Sequence, residues 1–387
     1  MLRIDTPALL LDAERLERNL AAMAARATAA GLALRPHFKT ARMVPVAERL
    51  ARHGARRFTV STLAEAAALA AAGLGDDVLW AVGLAPQRAA RVVALRRRGV
   101  GLAVTIDNLP ALLAVQSAVR ASSSRPVPVW IELDCGYGRA GLRPDDPALP
   151  ALAAAVHAAE EATLVGLLTH AGHAYGARGT DAVAACARQE RDALLAGAAA
   201  LEAAGLPRPR LSAGSTPTAL VGPDGAGGGW DGIDELRPGN YVFLDVAQHR
   251  IGVCEPEAIA TSVLATVIGH KPDAALPHIC IDAGSMALSP DPSARDRAGP
   301  DDVDHGFGLV CDVDGAVWPG LRVGSVSQEH GWIVAEEGTA LPLDALPVGA
   351  RVRILPAHAC LTAAMHRGAH LVRGAYVVDF WPRVQGW

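Results

Sequence analysis

Residues 32–40 read Leu-Ala-Leu-Arg-Pro-His-Phe-Lys-Thr. The apolar start makes 32–38 a candidate β-strand, and Lys39 stands directly after it. Lysine is rare in this chain. Of 36 Lys and Arg residues only Lys39 and Lys271 are lysines, which leaves 34 arginines. The Ala-, Arg- and Gly-heavy composition makes that bias genomic, so a retained lysine marks a place where arginine would fail. Arginine cannot lose its proton at workable pH, whereas an amine can, and only a neutral amine forms a Schiff base. Lys271, in Gly269-His270-Lys271-Pro272-Asp273, reads as part of a surface turn.

Working outward, β-like runs at 32–38, 57–61, 77–82, 101–106, 127–134, 164–170, 210–214 and 235–245 alternate with amphipathic stretches. These include 13–30, 63–72, 86–98 and 181–204. Alternation of this kind implies a parallel sheet, and eight units predict a (β/α)8 barrel, with an open doubly wound sheet as the alternative. Past about residue 250 the helical periodicity nearly vanishes. Short β-like segments at 278–282, 322–326, 332–335, 351–355 and 375–380 lie between turn clusters. The expected organisation is a barrel over 1–250 and an all-β domain over 251–387, with the first residues a candidate for pairing into the β-domain.

The chain has 387 residues, 51% hydrophobic, with net charge −4 and pI near 6.4. That charge leaves no footprint for nucleic acid or an anionic membrane surface. The start of the chain lacks a signal-peptide pattern and no stretch suits a bilayer, so a cytoplasmic enzyme is expected, with its six cysteines reduced.

In such a barrel the reactive residues lie at the C-terminal ends of the strands. Those ends carry Lys39, the run Asp134-Cys135-Gly136-Tyr137-Gly138-Arg139, His170 with His173 and Tyr175, and Gly214-Ser215-Thr216-Pro217-Thr218. Arg237-Pro238-Gly239-Asn240-Tyr241 lies in the last unit. Taken singly each has a plain reading: His170 as a structural histidine, 214–218 as a turn, Arg237 as an ion-pair donor, Tyr241 as core. Together they could supply what a lysine-bound pyridoxal phosphate needs, namely a phosphate cradle, partners for the ring oxygen and nitrogen, and a flat group against the ring.

Arg-Pro-His-x-Lys-Thr, Asp-Cys-Gly-x-Gly-Arg-x-Gly, Gly-Ser-Thr-Pro-Thr and Arg-Pro-Gly-x-Tyr, in this order, resemble the alanine-racemase-like (fold type III) pyridoxal phosphate enzymes. Within them the chain is similar to the metal-dependent D-serine dehydratase and D-threonine aldolase family, from Thr6-Pro7-Ala8 into the C-terminal domain. The resemblance implies that Lys39 carries the cofactor, with His37 beside it, that Arg139 faces its phenolate and that His170 stacks on its ring. It gives Ser215, Thr216 and the backbone of Gly239 and Asn240 to the phosphate, places Tyr241 in the same motif, and sets Arg237 at the pyridine nitrogen. Tyr175 is the residue expected to reach substrate.

A second motif, Pro356-Ala357-His358-Ala359-Cys360, follows an apolar run. Read as a continuing strand, it puts His358 and Cys360 on one face. Imidazole and thiolate suit Zn²⁺, with positions left for water and substrate; alone, the pair reads more often as an unliganded buried couple. The resemblance assigns a divalent metal here, zinc first and magnesium or manganese as alternatives. His-x-Cys is similar to the dehydratases, whereas His-x-Asp is the aldolase pattern; Ala357 departs from the Asn common in dehydratases. His330 lies in a segment that also resembles the family's. The implied activity is elimination of water from a D-3-hydroxy amino acid to give a 2-oxo acid and ammonia. Retro-aldol cleavage to glycine and an aldehyde is the close alternative; a racemase and a non-catalytic cofactor carrier are the more distant ones. A homodimer with active sites at its interface is implied as well.

Overall fold

The computed structural model describes residues 4–295 and 303–387. The chain divides into two compact units, Ala21–Gly239 with Val384–Trp387, and Met1–Leu20 with Asn240–Arg383. The sequence reading placed the change near residue 250; the division falls at Gly239/Asn240.

The first unit holds eight parallel strands. Their spatial order is Ala33–Leu34, Glu235–Leu236, Arg210–Ala213, Ala162–Thr169, Val127–Leu133, Leu102–Ile106, Val78–Gly83 and Phe58–Val60. A parallel bridge between His37 and Thr59 joins the two ends, with Phe38 N–H donating to Thr59 O at 2.8 Å and Thr59 N–H to Pro36 O at 2.9 Å. The ring of strands therefore closes, as the eight-unit count predicts. All of Leu102–Ile106 is buried, as is all of Val127–Leu133 except Pro128. Covering helices demand this, since strands buried on both faces read as continuous apolar runs. Those helices begin at polar caps. Thr62 Oγ1 accepts the Glu65 N–H ahead of Leu63–Ala71, and Asn108 Oδ1 accepts the Ala111 N–H ahead of Leu109–Ser122.

The eighth strand corrects the sequence reading. It stops at Leu236, not near 245, because Pro238 has no N–H for a ladder and the chain turns into a 3₁₀ segment at Asn240–Val242. Beside that strand the core is charged. Arg35 Nε donates to Glu235 Oε1 (2.7 Å) and its Nη1 to Asp77 Oδ1 (2.6 Å), while Arg210 Nη2 donates to Glu235 Oε2 (2.9 Å). Both guanidinium groups lie within 6 Å of the Trp130 ring, at 5.9 and 5.7 Å.

The second unit is a nine-stranded sheet. Its order is His278–Ile281, Gly331–Ala335, Val317–Val326, Gly308–Cys311, Arg351–Pro356, Thr261–Lys271, Ala8–Asp12, Gly368–Arg373 and Tyr376–Pro382. Ala8–Asp12 pairs antiparallel with Thr261–Lys271 and parallel with Gly368–Arg373. Ala8–Asp12 is the expected pairing of the first residues into the β-domain, whereas Thr261–Lys271, Gly308–Cys311 and Gly368–Arg373 are strands that the sequence reading does not single out. The first five residues of Thr261–Lys271 are all buried, so no polar–apolar alternation announces it. All six cysteines are unbridged. No helix among the described residues is long and apolar enough to cross a membrane.

Candidate active site

Lys39 sits in the turn that follows the first barrel strand, with its side chain exposed, and its backbone N–H donates to His37 Nδ1 at 3.4 Å. The imidazoles of His37 and His170 show what gathers around it. Burial lowers His37 well below the usual histidine range, and its electrostatic interactions with Lys39, Arg237, His170 and Arg139 act in the same direction. His170 is lowered likewise, by burial first and then by Lys39, Arg139, Arg237 and His173. Both rings are therefore neutral at pH 7, inside a cationic cluster. His37, Lys39, Arg139, His170 and Arg237 come from four strand ends, as the barrel geometry requires.

Each member of the cluster is held from behind. Arg237 is buried; its Nε donates to Ser212 Oγ (2.7 Å) and its Nη2 to the carbonyls of Ser212 (3.3 Å) and Thr169. Ser212 in turn donates to Glu235 Oε1 at 2.9 Å, which leaves its oxygen free to accept from the arginine. Arg139 is half-exposed and reaches Glu132 at 3.2 Å, with its guanidinium 5.7 Å from the Tyr137 ring. Asp134 Oδ1 shapes that loop by accepting the N–H groups of Gly136 (2.9 Å) and Gly138 (3.0 Å). The Tyr175 ring lies 6.3 Å from that of His170, whereas His173 hydrogen-bonds Gln189 at 2.9 Å. A Cβ on Gly239 would stand 2.9 Å from His37 Cβ, so only glycine lets the chain run this close to the turn before Lys39.

Ser215 and Thr216 are buried at the start of the helix Thr216–Val221. Ser215 N–H donates to Thr218 Oγ1 (2.9 Å), and Thr218 Oγ1 donates to Glu190 Oε2 (2.9 Å). Glu190 Oε1 accepts the Ala171 N–H (3.1 Å) and the Gly214 N–H (2.9 Å). Burial raises the Glu190 carboxyl from its ordinary range; these donors and Arg237 oppose that rise. The sequence reading missed Glu190, although a signal exists. On the helix Gly179–Ala203 it falls on the buried stripe Val183, Ala187, Glu190, Leu194, Leu201, where a carboxylate is out of place unless it is bonded.

In the β unit the structure corrects the expected strand at His358 and Cys360. The strand ends at Pro356; His358 is the extended residue capping a short helix, Ala359–Ala364, that contains Cys360. The two side chains still meet. Burial alone would lower His358, but its hydrogen bonds to Asp291 and to Cys360 hold it up at about 11. His358 Nδ1 lies 2.7 Å from Asp291 Oδ2. Asp245, fully buried, gathers the segment by accepting from Asn240 Nδ2 (2.6 Å), the Ala359 N–H (2.9 Å) and the Gln248 N–H (3.0 Å). Asn240 Nδ2 also lies 3.8 Å from Cys360 Sγ, and Asn240 Oδ1 is buried with no partner among the described residues. Tyr241 is buried, which raises its hydroxyl pKa. His330 is exposed in the turn before Gly331–Ala335. The bonds of Asp245 to Ala359 and of Asp291 to His358 span 114 and 67 residues, so no local pattern marked them.

A histidine that binds metal ordinarily gives its other ring nitrogen to a carboxylate, and Asp291 occupies that place. Among the described residues no group of three or more His, Cys, Asp or Glu is gathered to hold a metal ion; His358 and Cys360 are two donors side by side. Replacing Asp291 with Asn is expected to weaken divalent-metal affinity about 10- to 100-fold while His358 and Cys360 remain. Metal titration of the purified variant checks this, and unchanged affinity would remove Asp291 from the site.

Two family models match the chain in succession. The alanine racemase N-terminal domain matches residues 11–247 and the putative serine dehydratase domain matches residues 260–372. D-threo-3-hydroxyaspartate dehydratase of Delftia sp. (strain HT23) is 42% identical, covering 100% of this chain and 99% of that protein. The chain belongs to the alanine-racemase-fold family of D-serine dehydratases and D-threonine aldolases. Family members are pyridoxal-phosphate-dependent lyases acting on D-3-hydroxy amino acids. The solved Delftia enzyme superposes with a TM-score of 0.92 at 42% identity, over 100% of this chain and 99% of its own. A cysteine-to-alanine variant of it in the metal-free form gives the same score at 41% identity, with the same coverage. D-serine dehydratase of Dictyostelium discoideum is 29% identical over 95% of this chain and 93% of its own. D-threonine aldolase of Arthrobacter sp. is 30% identical over 98% and 92%.

Proposed function

We propose that this lyase eliminates water from D-threo-3-hydroxyaspartate and related D-3-hydroxy amino acids, giving a 2-oxo acid and ammonia. The observation that carries the reading is the cationic cluster at the barrel's strand ends, with the chain's one unexplained lysine in it. An anionic cofactor fits there. Buried hydroxyls at Ser215 and Thr216 suit a phosphate, Arg139 a phenolate, and the neutral His170 ring a stacked pyridine. Arg237 would face the ring nitrogen. In the β unit, the His358–Cys360 pair backed by Asp291, beside the unpartnered Asn240 Oδ1, fits a divalent cation, and its nitrogen–sulfur chemistry favours zinc over magnesium or manganese. The Delftia enzyme has been varied at a histidine and a cysteine likewise two positions apart. We propose a homodimer as well, on the resemblance of the sequence motifs alone.

Bound pyridoxal phosphate supplies an electron sink for charge at the substrate Cα, and a bound metal supplies a Lewis acid. The chain supplies the rest. Lys39, as a neutral amine, takes the α-proton from the face a D-amino acid presents. The neutral His37 and His170 leave positive charge to Arg139 and Arg237, which bind the anionic groups. Tyr175 orients the substrate beside His170.

Product analysis tests the reading. D-threo-3-hydroxyaspartate, D-threonine and D-serine are expected to give oxaloacetate, 2-oxobutanoate and pyruvate, each with one equivalent of ammonia, and L-threonine is expected to be inert. Glycine and an aldehyde as the dominant products would move the chain to the aldolase side and leave the site assignments standing.

A further inference from the structure

Glu190 has no part in the chemistry above, yet it is fully buried and bonded only to the surroundings of two proposed cofactor contacts. Its Oε1 takes the N–H of Ala171, the residue after His170, and the N–H of Gly214, the residue before Ser215. Its Oε2 takes the Thr218 hydroxyl proton, and the Thr218 oxygen in turn receives the Ser215 N–H at 2.9 Å. One carboxylate thus ties together two strand-end segments that are 43 residues apart at Ala171 and Gly214. The bonds are specific in polarity. Every group that faces Glu190 is a donor, so only an acceptor satisfies all three, and a bare methyl would leave two backbone N–H groups buried and unmatched. A helix side chain that merely packed against the loops would need no such set.

We infer that Glu190 is a positioning residue that holds the phosphate-binding segment Ser215–Thr218 in register with His170, so that a single ligand engages both. The inference rests on the proposed cofactor reading. A ligand that spans both segments depends on their spacing, whereas one that touches a single segment does not. Pyridoxal phosphate spans them; pyridoxal, which lacks the phosphate, meets only the ring side.

The test is cofactor binding by the full chain after removal of its cofactor with hydroxylamine, followed by absorbance in titrations with pyridoxal phosphate and with pyridoxal. Glu190→Ala is expected to weaken pyridoxal phosphate about tenfold or more, the size of a lost hydrogen bond to a charged group, and pyridoxal less than about threefold. Glu190→Gln keeps an oxygen for both N–H donors and is expected to recover most of the loss. Thr218→Val removes the Glu190–Thr218–Ser215 link while the bonds of Glu190 to Ala171 and Gly214 remain, and is expected to show a smaller selective loss that does not add to that of Glu190→Ala. A cooperatively melting Glu190→Ala that binds pyridoxal phosphate as wild type does would overturn the inference, as would equal losses of both ligands. Should Glu190→Ala not fold, wild-type binding by Thr218→Val overturns it instead. A wild-type chain that binds pyridoxal phosphate no tighter than pyridoxal would sink the phosphate-site reading itself, whatever the variants do.

Discussion

Lys39→Ala is expected to abolish turnover, by about a thousandfold or more, and to leave a protein that no longer turns yellow with pyridoxal phosphate. Borohydride reduction of the wild type should fix the cofactor to the peptide that contains Lys39, and reduction of the variant should fix none. The informative control is Lys39→Arg. Arginine restores the positive charge that the cluster around His37 and His170 registers, but it cannot act as a neutral amine. If Lys39 served only as a cation, Arg would rescue activity; if it is the nucleophile and base, Arg should be as dead as Ala. Lys271 closes an exposed strand end opposite His278, and Lys271→Ala should behave as wild type. Covalent retention of cofactor by Lys39→Ala would end the mechanism proposed here.

Removal of the divalent metal carries the second large effect. Chelation is expected to lower turnover by about two orders of magnitude or more, because hydroxide is a poor leaving group without a Lewis acid beside it. The yellow colour should persist, since Lys39 and Ser215–Thr218 belong to the barrel unit and His358 and Cys360 to the β unit. Zn²⁺ should restore the rate. Cys360→Ala should need far more metal for the same recovery, having lost one of two protein donors. Full turnover after metal removal verified by elemental analysis would make His358 and Cys360 structural.

Much of this was legible from residues alone, and the reasons are local. Lys39 stood out because arginine fills nearly every other cationic position. The barrel stood out because buried parallel strands are continuous apolar runs separated by helical periodicity. The less legible parts fail for equally physical reasons. The eighth strand was overextended because 235–245 looks apolar, while Pro238 silently removes a ladder donor. His358 and Cys360 were placed on a strand because a spacing of two fits an extended chain, yet a short helix after Pro356 brings the same side chains together.

The sequence by itself determined which groups could do chemistry: a lone functional lysine, the histidines and arginines at strand ends, the hydroxyl-rich turn, and a soft metal pair. These are properties of residue type and local spacing. The tertiary structure alone decided what holds them. Glu190, Glu235, Asp245 and Asp291 are acidic residues of the kind found on any surface, and nothing nearby in the chain marks their partners. Folding takes Glu190, Glu235 and Asp245 out of water, where an unmatched carboxylate is costly, and partly buries Asp291; each is matched in part by donors far away in sequence. Those long-range bonds, absent from any local pattern, set where the reactive groups stand.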